Sequence, residues 1–136
     1  MIHPSPSPVL FDEPALLART DHDRPFAREL IRIFIRSAGE TLAQLSESVA
    51  DGGDPETVRK LAHSLKGSAA AASAGTLAAC AADLERVAGT AQANDALCSL
   101  TSTFALTMAE LARLNWAAQV QADTWPSAPR RGGMTS

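Results

Sequence analysis

Between about Val9 and Ala122 the chain alternates between stretches whose apolar residues recur every three or four positions and short polar or glycine-containing breaks. That recurrence is the mark of amphipathic helices. In the longest stretch, roughly Pro25 to Ala50, Phe26, Leu30, Ile33, Phe34, Leu42, Leu45 and Val49 keep the step, and Asp51-Gly52-Gly53 ends it. A shorter helix is expected before it, because Asp12-Glu13-Pro14 places a proline in the first turn and acids at the positive end of the helix dipole. Thr20 to Pro25 interrupts the two. Asp54 as N-cap and Pro55 at the first helical position open a third long segment, which runs to about Ala72 and breaks near Ser73-Ala74-Gly75. The next, roughly Thr76 to Ala88, puts Leu77, Cys80 or Ala81, Leu84 and Val87 on one face and stops at Gly89. The last, roughly Asp95 to Gln121, carries Leu97, Leu100, Phe104, Met108, Leu111 and Leu114. No segment sustains a period of two among β-branched residues, so no sheet is expected. A lone amphipathic helix is marginal in water. Four long helices with short connections therefore predict an all-α fold, an antiparallel four-helix bundle with a short extra N-terminal helix.

Composition narrows the picture. The length, 136 residues, fits a single domain with tails. Residues 1–8, where Pro4, Pro6 and Pro8 alternate with Ser, and residues 123–136 are expected to be disordered, with the bundle spanning 9–122. Alanine makes up roughly a fifth of the chain, which allows helices to approach closely, and aromatics are only 4%. The net charge of −3 argues against a nucleic-acid partner. No apolar run is long enough to span a membrane, and MIHPSPSPVL has neither the basic nor the apolar region of a secretory signal. A cytoplasmic monomer is the expectation. Cys80 and Cys98 fall in apolar helical patterns and read as small core residues, with no CxxC pair or clustered His to suggest zinc.

The candidate chemistry lies in Ala62-His63-Ser64-Leu65-Lys66-Gly67. At about 100° per residue, Val58, Leu61, Ala62, Leu65, Ala69 and Ala72 form one stripe. His63 then points about 140° from its centre, Gly67 about 180°, Arg59 and Ala70 about 100–120°, and Lys66 about 80°. His63 is thus expected to stand in solvent. Gly67, one turn further on, costs about 1 kcal/mol of helix propensity relative to Ala. In an alanine-rich chain, its use suggests that the surface beside the imidazole is kept bare for an approaching molecule. An exposed imidazole is a nucleophile that is available in its neutral form near neutral pH. Phosphoryl transfer requires such a nitrogen, in-line access and positive charge around the transferring oxygens. His63, Gly67 and Lys66 are candidates for those three parts, and an inert surface histidine is the competing reading. The residues alone leave both open.

The stretch AHSLKGSAAAASAGTLAACAADLE resembles the signature of histidine-containing phosphotransfer (HPt) domains of two-component phosphorelays. Ala62, His63, Leu65, Lys66, Gly67, Leu77, Leu84 and Glu85 match that pattern, and Glu29 to Phe34 is similar to the family's segment before the site. The resemblance covers roughly residues 12 to 115. It implies a phosphoryl carrier: His63 as phosphoacceptor, Lys66 stabilising the phosphate, and receiver domains of response regulators and a hybrid histidine kinase as partners. Arg59, Lys60 and Ala70 are expected to face the partner, with Arg59, Lys60 and Lys66 lending a positive character to that surface. The chain itself is expected to bind no cofactor and no metal, with Mg²⁺ on the partner receiver. It has no P-loop or other glycine-rich nucleotide motif, so no ATP-dependent kinase activity is expected.

Two features depart from the family pattern. Ser73 stands where a glycine is common, and is expected to alter the end of its helix or cap the next. Ala69 to Ala72 replace a stretch that usually holds Asn or Gln, so a hydrogen bond to the ring must be absent or come from elsewhere. The rival functional reading is a helical adaptor that binds receiver or kinase domains without carrying phosphate. A metal or redox bundle is a third. His22, between Asp21 and Asp23, and His3 lack helical ligand spacing to a second His.

Overall fold

The computed structural model describes residues 9–116. Its order is α1 (Glu13–Arg19), α2 (Arg24–Ala50), α3 (Pro55–Ala71), α4 (Gly75–Val87) and α5 (Ala93–Arg113). Helix α2 packs on α3 and α5, and α4 packs on the same two, so the four long helices form a bundle in cyclic order.

The first three helices start by one local device. Asp12, Asp23 and Asp54 each accept a hydrogen bond from the backbone N–H three residues on, at 3.1, 3.0 and 3.3 Å, with proline in the first two helical positions. The carboxylate satisfies a donor that the helix leaves open, and proline removes another. Helix α4 has no side-chain cap. Instead, Thr76 N–H donates to Val9 O at 2.9 Å and Asp12 N–H to Ser73 O at 2.9 Å, so the segment before α1 straps over the α3–α4 turn.

Three helices also end alike. Gly52, Ser73 and Asn115 adopt φ of 64, 64 and 67° just after α2, α3 and α5. At each, its own N–H and the next one return to carbonyls of the last turn, the second as in Gly53 to Ser48, Ala74 to Ala69 and Trp116 to Leu111. Ser73 thus occupies a left-handed position that favours glycine. It does not cap α4, whose N-cap is Ala74. Its hydroxyl is buried and has no hydrogen-bond partner.

The Schellman turn at Asn115 ends α5 at Arg113, short of the expected Gln121. Trp116 folds back into the core, only 2% exposed. Its ring meets Phe11 edge-on at 5.8 Å, and its Nε1–H donates to Glu13 Oε2 at 2.7 Å. The expected tails, residues 1–8 and 123–136, lie outside the described residues.

Three core expectations need correction. Phe26 and Ile33 are 52% and 54% exposed. The buried stripe of α2 is Ala27, Ile31, Phe34, Ile35, Ala38, Leu42 and Leu45, joined by Gly39. Small residues, which carry little hydropathic weight, mark the true core direction, and the two large side chains lie on its flank. Cys98 is exposed rather than in the core, and Cys80 is half-buried with its Sγ 3.3 Å from Thr103 Oγ1. No helix among the described residues is long and apolar enough to cross a membrane.

Candidate functional site

Helix α3 buries Val58, Ala62, Leu65 and Ala69. The helical period then carries His63 outward, and its side chain is 68% exposed. Lys66 lies one turn along the same flank, toward α4. There the buried Leu84 fixes the rotation of α4, and its neighbour Glu85 reaches the edge of the α3–α4 groove.

Glu85 is the centre of the arrangement. Its Oε2 lies 3.1 Å from His63 Nδ1, and its Oε1 lies 3.0 Å from Lys66 Nζ. One carboxylate therefore holds two side chains of the neighbouring helix. The Lys66 hydrogen bond is the main influence keeping the Glu85 carboxyl below the usual glutamate range; partial desolvation opposes it, and the His63 bond adds to the lowering. An ionised carboxylate only accepts hydrogen bonds. The Nδ1 facing it must carry the proton, which leaves Nε2 with a free lone pair in the neutral ring. The hydrogen bond missing from Ala69 to Ala72 is thus supplied from α4.

The surface beside the ring is low. A Cβ added at Gly67 would meet nothing within 4 Å, so its bareness is not demanded by packing inside this chain. Ala70 is exposed one turn on. Arg19 of α1 donates to the carbonyls of Ala70 and Ala71 at 2.8 and 3.0 Å, holding the C-terminal turn of α3. Lys60 is exposed, while Arg59 is half-buried and pairs with Glu56 on its own helix. Lys66 is likewise engaged by Glu85, so the positive character expected from Arg59, Lys60 and Lys66 is partly neutralised.

The helical period pointed His63, Gly67 and Ala70 away from the core, and they are exposed, while Arg59 and Lys66, nearer the stripe, are half-buried; that reading gave Glu85 no chemical role. The only signal for it was its match to the family pattern, 22 residues after His63. Nothing in that separation shows that it meets the ring. His22 sits in the α1–α2 turn with φ 60°. No group of three or more His, Cys, Asp or Glu that could hold a metal ion occurs among the described residues.

A family model described as "Hpt domain" matches residues 29–119, most of the chain. No curated protein and no solved structure matches it.

Proposed function

The chain belongs to the Hpt domain family, and on that premise we propose that His63 is the phosphoacceptor, taking a phosphoryl group at Nε2 from a receiver-domain aspartyl phosphate and passing it to the aspartate of another receiver. Hpt domains are phosphotransfer carriers of phosphorelays that interact with receiver domains and have no kinase domain. The observation that carries the assignment is the exposed ring whose Nδ1 is held by Glu85.

In the step, the Nε2 lone pair attacks phosphorus in line with the aspartyl oxygen. The N–P bond forms as the O–P bond breaks, and the bonding pair leaves with the aspartate carboxylate. Positive charge developing on the ring is matched by Glu85, through the proton shared between Nδ1 and Oε2. Lys66 shifts toward the phosphoryl oxygens, which lie one helical turn from its own Cα, and Gly67 leaves room for the receiver backbone. The receiver contributes its acidic pocket and Mg²⁺, and this chain contributes the nucleophile and its orientation.

The test is transfer of label from a phosphorylated receiver, comparing wild type with His63→Gln. Acid-labile, base-stable label on wild type alone supports the reading. Label on neither, with a receiver that does phosphorylate another Hpt protein, favours the adaptor. Label on His63→Gln moves the acceptor elsewhere.

A further inference from the structure

Arg24, Arg28, Arg32 and Arg36 follow one another at four-residue steps on α2, and all four are exposed. The step turns slowly around the helix, so they form a row about 18 Å long. Four of the chain's 12 basic residues are therefore gathered on one strip of a protein whose net charge is −3. Like charges so placed repel one another unless something opposes them.

Part of the row is built rather than incidental. The Arg24 and Arg28 guanidinium carbons lie 5.5 and 5.3 Å from the centre of the Trp116 ring. Arg28 also donates to Asn115 O at 2.9 Å. These contacts fix two guanidiniums against an aromatic face, removing the rotamer freedom that an incoming partner would otherwise have to freeze. Alongside, Arg24, Pro25, Arg28, Glu29 and Arg32 line a shallow groove of about 300 Å³.

Internal carboxylates cover the row only in part. Arg24 is 3.8 Å from Glu13, which already accepts from Trp116, and Arg32 is 3.6 Å from the exposed Glu29. Glu40 follows one turn after Arg36. Both ion pairs are long, and the Arg32–Glu29 pair is exposed on both sides, so a partner can displace them at little cost.

We infer that this strip is a second docking surface, taking an acidic segment of a partner protein whose carboxylates engage Arg28, Arg32 and Arg36. Arginine presents a planar fork that matches carboxylate oxygens. Glu29 inside the groove disfavours a continuous row of phosphates, as in nucleic acid, but tolerates a peptide that mixes carboxylates with donors. The strip lies on the α2–α5 side, where Arg28 meets the end of α5, whereas His63 and Glu85 meet at the α3–α4 groove on the other side of the bundle. A partner held there leaves His63 open.

The test uses the full chain and a fluorescein-labelled helical peptide carrying Glu at four-residue spacing, followed by anisotropy. Arg32→Glu/Arg36→Glu is the informative variant, because neither residue touches Trp116, and circular dichroism checks its fold. Binding is expected to weaken about tenfold or more in the variant, to fall with added salt, and to be unchanged by His63→Gln. Saturating peptide is expected to leave phosphorylation by a receiver at its normal rate. Equal binding by the variant, no binding by wild type, loss of binding in His63→Gln, or preference for duplex DNA over the peptide would each overturn the inference. Failure of His63 to take label, with peptide binding intact, would count against the phosphocarrier reading alone.

Discussion

At the scale of single residues, the candidate site brings a carboxylate against a ring and leaves open space at a glycine one turn further along. Glu85→Ala is expected to remove the acceptor facing Nδ1, so that the imidazole redistributes its proton toward Nε2. The nitrogen-15 spectrum of His63 would show the change, and transfer is expected to slow by about tenfold through lost orientation. Gly67 separates stability from access. Because the added methyl would meet open space, Gly67→Ala is expected to raise stability by about 1 kcal/mol, seen as a higher denaturant midpoint. Gly67→Leu is expected to keep the fold but slow transfer from the receiver. A normal rate in that variant would show that the bare surface has no part in docking.

Helices α3 and α4 are joined at the site by the Glu85 bridge and at their turn by Ser73. The Glu85 carboxyl is depressed in the fold, with Lys66 the leading cause. Its contribution is therefore fully present above the ordinary glutamate range and is lost as pH falls through the depressed value. The stability difference between wild type and Glu85→Gln is expected to shrink as pH falls below about 4. Acid titration of both proteins under urea measures it. Ser73 adopts φ 64° and buries a hydroxyl without a partner. Ser73→Gly is expected to stabilise the protein by about 1 kcal/mol, because glycine takes the left-handed conformation freely and removes the orphan hydroxyl. A lower urea midpoint in that variant would contradict this account of the turn.

For the molecule as a whole, one end of the bundle is closed by residues distant in sequence. Phe11, Leu16 and Trp116 are buried, and Glu13 accepts the indole N–H. Trp116→Ala is expected to cost about 3–5 kcal/mol, measured by chemical denaturation, because the ring fills core volume and organises Arg24 and Arg28. Because His63 sits on the other side of the bundle, receiver-dependent labelling of the folded variant is expected to persist.

Local physics made much of this legible in the chain. The Asp-Pro starts of α1 and α3, the Gly52 stop of α2 and the outward direction of His63 depend on residues within one or two turns of each other, and the sequence contains all of those. Where an outcome depended on how one helix is rotated against another, the sequence did not contain it. The flank of α2 that is buried, the return of Trp116 into the core in place of a longer α5, and the meeting of Glu85 with both His63 and Lys66 are of that kind. They follow from the mutual fit of alanine-rich surfaces, where small side chains carry weak hydropathic signals and packing alone sets the register. Residue spacing turned the imidazole of His63 outward, and only the α3–α4 contact decided which of its nitrogens meets a carboxylate.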